Sequence, residues 1–147
     1  MLRGSAPAKV DGKGRLKIPS EYRSIIEGEF GTMFYVTSID GRAVRIYPFP
    51  VWEENEKKLK GKSSLNPSFE KFYNLTNIYG RMVEMDSQGR ILIPAFLRKD
   101  ANINGEVAVI GKILFLEVIN MKDVREQLEK SKLTREELNE LASHGIM

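Results

Sequence analysis

The sequence predicts a mainly β fold of the α+β class: two repeats that share one core about a pseudo-two-fold axis, with short helices at its periphery. Three observations lead there. A nine-residue frame occurs twice, 75 positions apart. Each copy passes from a turn signal into strand-forming residues closed by proline. Each half, at roughly 70 residues with much of that in connections, would bury only a marginal core of its own, so the two are expected to share one.

The repeat is Asp11-Gly12-Lys13-Gly14-Arg15-Leu16-Lys17-Ile18-Pro19, which returns as Asp86-Ser87-Gln88-Gly89-Arg90-Ile91-Leu92-Ile93-Pro94. Beyond the prolines, Tyr22-Arg23 aligns with Leu97-Arg98. Val10 and Met85 close incoming extended segments. Asp-x-x-Gly is a turn: the aspartate bonds nearby backbone, and Gly14 and Gly89 supply positive φ without strain. Arg15 to Ile18 alternates polar and apolar, as a half-buried strand does. The second copy breaks that alternation at Leu92, which predicts a strand covered on both faces. The prolines end the strands and suit a first helical turn, so short helices are expected over Ser20 to Ile26 and Ala95 to Ala101.

Further strands follow each helix. Thr32 to Ser38 and Ala43 to Tyr47 flank the Asp40-Gly41 turn; Glu106 to Ile110 and Ile113 to Ile119 flank Gly111-Lys112. Pro48 and Pro50 stop the first sheet segment. Val51 to Lys60 reads as a helix with Glu53–Lys57, Glu54–Lys58 and Glu56–Lys60 pairs. Asn66-Pro67 opens another, with Phe69, Phe72, Tyr73 and Thr76 at helical spacing. Met121 to Glu129 is the counterpart in the second half, and Thr134-Arg135-Glu136-Glu137 is a capping box. Gly61-Lys62-Ser63-Ser64 is linker-like. Residues 5–50 and 79–122 are therefore expected to be the two modules, with 51–78 and 123–147 as helical extensions. The symmetry predicts that Arg15 and Arg90 share one composite surface.

Composition excludes several chemistries. The 147 residues carry no cysteine, which removes disulfides, thiolate metal sites and cysteine nucleophiles. The single histidine, His144, lies near the C-terminus, against a histidine metal cluster or a Ser-His-Asp triad. No catalytic residue, metal or cofactor is implied. Gly12-Lys13-Gly14 lacks the rest of a phosphate-loop frame and precedes a strand instead of a helix. The longest apolar runs, such as Ile113 to Leu116, fall far short of the ~20 residues of a membrane helix, and the opening residues are no secretion signal. A cytoplasmic protein is the expectation.

The double Asp-x-x-Gly-Arg frame resembles the MraZ proteins of bacteria. So do Met1-Leu2-Arg3-Gly4 and Tyr47-Pro48-Phe49-Pro50-Val51-Trp52-Glu53. The resemblance spans nearly the whole chain. It implies tandem SpoVT/AbrB-type modules in a swapped-hairpin or double-split β-barrel. It also implies a nucleoid-associated, DNA-binding transcriptional regulator that assembles into rings. Such proteins bind short direct repeats upstream of their own division and cell-wall operon. Their Asp-x-x-x-Arg motifs face the DNA, which here are Asp11 and Arg15, and Asp86 and Arg90.

The charge pattern is compatible with that role. The net charge is only +3, yet residues 1–20 hold five basic side chains (Arg3, Lys9, Lys13, Arg15, Lys17) against Asp11, a net of +4. A local basic patch attracts phosphates. Gly80 to Pro94 balances to zero, which suits base reading or packing within the assembly, with less phosphate contact, at the second turn. Arg15 and Arg90 suit guanine edges, Gln88 suits adenine, and Lys13 suits guanine or phosphate. Arg3 and Lys17 extend the patch. Asp11 and Asp86, which would repel phosphate, are expected to cap the turns or fix their arginines, with Gly14 and Gly89 shaping the turns. Trp52, Phe69, Phe72 and Tyr73 offer a stacking platform or, more simply, core or subunit interface. The alternative to DNA reading is an oligomeric scaffold whose basic rim binds acidic partners.

Overall fold

A computed structural model, which describes residues 1–62 and 65–147, shows the two halves folding by exchange of strands. The first half contributes β1 (Ser5–Val10), β2 (Arg15–Lys17), α1 (Ser20–Glu29), β3 (Met33–Thr37) and β4 (Val44–Pro48). Two helices follow, α2 (Phe49–Leu59) and α3 (Pro67–Ile78). The second half repeats the order with β5 (Arg81–Glu84), β6 (Arg90–Leu92), α4 (Ala95–Asp100), β7 (Gly105–Gly111) and β8 (Leu116–Asn120). It ends with α5 (Val124–Lys130) and α6 (Arg135–Ser143).

All eight strands form one antiparallel, nearly closed sheet in the order β5-β3-β4-β8-β7-β1-β2-β6. β1 pairs with β7 of the other half, and β5 pairs with β3. The remaining cross-half pairs, β2 with β6 and β4 with β8, lie on the pseudo-two-fold axis. Leu16 faces Ile91 there, the same position in the two repeats. The expected two-repeat barrel with peripheral helices is thus what forms.

The core explains why neither half closes alone. Leu16, Ile18, Ile26 and Phe34 from the first half pack with Ile91, Ile93, Leu97 and Val109 from the second, all buried in one cluster. A second cluster sits outside the sheet. Trp52 of α2 stacks on Tyr35 at 4.6 Å and meets Tyr47 at 4.9 Å, with Phe72 of α3 beyond it at 6.2 Å. Trp52 is 3% exposed, so it serves packing and is no stacking platform for bases. Tyr35 and Thr37 both donate to the Thr76 carbonyl at 2.7 Å, which ties α3 to β3.

Local signals set most boundaries. Pro19, Pro48 and Pro94 each occupy the position just before a helix, with φ near −53°, so the helices begin one residue later than a proline at the first helical position would give. Asn66 caps α3 by accepting from Ser68 N, and Thr134 and Glu137 complete the capping box of α6.

Several expectations are corrected. Leu92 is 40% exposed, so β6 is covered on one face only: its outer face shares the open surface of β2. β8 starts at Leu116, not Ile113. Ile113 takes φ +69° and exchanges both backbone hydrogen bonds with Leu2, which lengthens the turn. Met121 to Glu129 splits into a 3-10 turn, Met121–Asp123, and α5, because the Asn120 side chain accepts from Lys122 N. On α2 the ion pair found is Lys57–Glu54 at 3.2 Å, three residues apart rather than four. Of the linker-like stretch, Ser63 and Ser64 lie outside the described residues.

Leu16 and Ile91 are both fully buried partners on the axis. Truncating either to alanine is expected to cost about 2–5 kcal/mol in urea unfolding. Because they touch, the double variant should depart from the sum by roughly 0.5–3 kcal/mol. Simple additivity would show that the axial contact is not shared between the halves.

Candidate functional site

Each repeated turn is organised by its aspartate. In the first, Asp11 Oδ1 accepts from Lys13 N and Arg15 N, both at 2.9 Å, and Oδ2 accepts from Arg15 Nε at 3.0 Å. In the second, Asp86 Oδ1 accepts from Gln88 N and Arg90 N at 2.9 Å, and Oδ2 from Arg90 Nε at 2.8 Å. The backbone repeats as faithfully. Asp11 N donates to Arg15 O and Gly14 N to Asp11 O; Asp86 N donates to Arg90 O and Gly89 N to Asp86 O. Gly14 and Gly89 close the turns at φ +84° and +78°, where a side chain would be strained.

One carboxylate therefore does both jobs expected of it: it caps the turn and fixes its arginine. The backbone donor of Arg15, more than any other partner, holds Asp11 below its ordinary pKa; the backbone of Arg90 does the same for Asp86. Both stay ionised at neutral pH. The ion pair uses only Nε. Among the described residues, no hydrogen bond occupies the Nη nitrogens of Arg15 or Arg90, and both side chains are roughly 30% exposed. Each guanidinium is anchored at its base and open at its fork, the geometry that suits a guanine edge or a phosphate.

The two arginines share a face. In the β2–β6 ladder Arg15 is opposite Leu92 and Lys17 is opposite Arg90. Leu16 and Ile91 point inward, so Arg15, Lys17, Arg90 and Leu92 lie together on the outer side. Because the strands are antiparallel, the turns flank this patch, one at each end, with Lys13 and Gln88 exposed at their tips. The composite surface is thus formed by Arg15, Arg90, Lys17, Lys13 and Gln88.

Arg3 is not part of it. It sits at the far end of β1, beside the Leu2–Ile113 bridge, roughly 26 Å along the chain from Asp11 at ~3.3 Å per residue. Lys9 faces Glu106 across β1 and β7, so its charge is balanced on its own face. Two residues missed by sequence reasoning touch the site: Arg23 of α1 covers Gly89, and Arg98 of α4 covers Gly14. The signal was present in the repeat itself, since Tyr22-Arg23 aligns with Leu97-Arg98. Among the described residues, no His, Cys, Asp and Glu side chains cluster in a way that could hold a metal ion. No helix among them is long and apolar enough to cross a membrane.

Comparison with known proteins gives one family. The model of the family described as "MraZ protein, putative antitoxin-like" matches residues 1–74 and 81–143. A transcriptional regulator MraZ from Acidobacterium capsulatum is 42% identical over 146 residues, 99% of this chain and all of that protein. Its namesake from Koribacter versatilis is 44% identical over 147 residues, again 99% of this chain and all of that protein. A third, from Nitrosomonas eutropha, is 45% identical over 76% of each chain.

The aspartates give a pH prediction. A carboxyl with a lowered folded pKa contributes stability that is complete above its unfolded value, near 3.8, and is lost as pH falls through the lowered folded value. Urea unfolding of Asp11→Asn, Asp86→Asn and the double variant should therefore show a flatter acid limb than the parent chain, with the difference greatest near neutrality. Parallel acid limbs would show that these carboxylates are not what the acid protonates.

Proposed function

The chain belongs to the MraZ family, and from that premise we propose that it is a sequence-specific, DNA-binding transcriptional regulator acting through its two Asp-x-x-Gly-Arg turns. The observation that carries the reading is the pair of arginines on one open face, each held by Nε with no hydrogen bond to its fork among the described residues. A fixed arginine loses less conformational entropy on binding than a free one, and its planar fork matches guanine O6 and N7. Lys13 and Lys17 add phosphate contact, and Gln88 adds an adenine reader at the second tip. The carboxylates are turned inward onto backbone donors, which limits their repulsion of phosphate.

In this reading residues 5–50 and 79–122 are the two modules, and 51–78 and 123–147 are their helical extensions. The target is a set of short direct repeats upstream of the chain's own division and cell-wall operon, bound by a ring of subunits in the cytoplasm, at the nucleoid. Repeated sites suit a repeated reader, since linked binding events raise the effective concentration at each next site. Exposed apolar side chains at Ile113, Leu114 and Phe96 supply surface for self-association. Regulation of transcription, not catalysis, is the activity proposed.

The test is a gel-shift against the upstream region, with competition by random duplex. Arg15→Ala and Arg90→Ala should each weaken operator binding by about 1–3 kcal/mol per lost contact while fold and oligomer persist. Lys13→Ala should weaken all duplexes alike and reduce the salt slope by about 1. Equal binding of operator and random duplex would favour the basic-rim scaffold instead. Normal operator binding by both arginine variants ends the proposal.

A further inference from the structure

The two turns are not independent. Ile18 N donates to Gly89 O and Ile93 N to Gly14 O, both at 2.9 Å, so each half's strand exit is bonded to the other half's turn. The helices that follow reach across as well. From α1, Arg23 lies so close over Gly89 that an added Cβ would stand 2.9 Å from its Cδ. Arg23 Nη2 donates to the Ser87 carbonyl at 3.0 Å, and its Nε is held by Glu27 at 2.8 Å. From α4, the Arg98 guanidinium covers Gly14 so closely that a Cβ there would run into it.

The Arg98 contact is costly. Its Nε is buried and has no hydrogen-bond partner among the described residues. An unsatisfied buried donor on a charged group is destabilising, whereas a methionine would bury a similar stem without that cost. Global stability therefore does not account for a guanidinium at this position. Its location does: it lies on the glycine that precedes Arg15.

We propose that Arg23 and Arg98 are positioning residues, each holding the opposite repeat's Asp-x-x-Gly-Arg turn in shape, so that the arginine of one half is set by the helix of the other. Arg23 does so through a hydrogen bond to Ser87 O and contact with Gly89; Arg98 does so by contact with Gly14. The glycines are required twice over, for positive φ and for room beneath the opposing arginine. The inference rests on the DNA reading above for its consequence, but not for its geometry.

The experiment has two readouts on Arg23→Met and Arg98→Met. Amide hydrogen exchange of the free, full-length protein should show a crossed pattern. Arg23→Met should speed exchange at Gln88 and Arg90 by roughly tenfold, the loss of one hydrogen bond to a charged donor, while Lys13 and Arg15 stay protected. Arg98→Met should loosen Lys13 and Arg15 and spare Gln88 and Arg90, with an unfolding midpoint no lower than the parent's. Operator affinity should fall several-fold in both, with an unchanged salt slope. A slope reduced by about 0.9 would make the arginine a direct phosphate contact and overturn the positioning role. Unchanged turn protection, or protection lost uniformly along the chain, would overturn it too. Crossed exchange with normal operator binding would leave the positioning intact and count against the DNA reading. Should either methionine variant fail to fold, Arg23→Lys and Arg98→Lys, which keep charge and stem, carry the same readouts.

Discussion

The short antiparallel pairing of β2 with β6 is the constraint on which the rest of the structure depends. It is only three residues long on each side, and hydrogen bonds from Ile18 N to Gly89 O and from Ile93 N to Gly14 O extend it at both ends. Its inward side chains, Leu16 and Ile91, sit at the centre of the shared core. Its outward side chains include Arg15, Lys17 and Arg90. A slip of one residue in this register would turn the arginines inward and the core residues out, because side chains alternate along a strand. Core packing and the composition of the exposed patch are thus one decision, not two.

Strand exchange follows from the same pairing. Once β2 and β6 lie across the axis, β1 and β5 each leave their own half and complete the hairpin of the other, β1 on β7 and β5 on β3. This resolves the difficulty of a half too small to bury its apolar face: each supplies strands to a barrel that neither closes alone. It also explains the burial of β3 and β4 on both faces. Their inner side joins the common core, and their outer side carries the Tyr35–Tyr47–Trp52 cluster under α2 and α3.

What was legible in the sequence was whatever a local rule governs. The Asp-x-x-Gly turns, the proline-bounded helix starts, the Asn66 cap and the capping box at Thr134 depend on residues within a few positions of one another, and each is found. The common face of Arg15 and Arg90 was legible because duplication implies symmetry. What escaped depends on contacts between distant segments. Leu92 is apolar yet open, because it lies on the exposed outer face that β6 shares with β2. Ile113 leaves the strand because Leu2, more than a hundred residues earlier, takes its hydrogen bonds. Arg23 and Arg98 lay in plain sight within the repeat, but that each covers the other half's glycine is a product of strand exchange, which no spacing along the chain encodes.

On the DNA reading proposed above, the aspartates put a negative charge on a surface that would face a polyanion. Two acids in the turns cancel the formal charge of the two motif arginines, a loss of attraction for phosphate if charge alone decided affinity. Each carboxylate, however, spends Oδ1 on two backbone donors and Oδ2 on an Nε, so its acceptors face the turn rather than the open side. In exchange, the arginine fork is held in a single direction relative to the strand. Non-specific attraction grows with net charge, while base discrimination depends on placing two donors opposite O6 and N7. An Asp–Arg pair lowers the first and improves the second. On the proposed DNA reading, that trade fits a chain with a net charge of only +3, in which Lys13 and Lys17, without an ion-pair partner among the described residues, belong to the first turn and its strand.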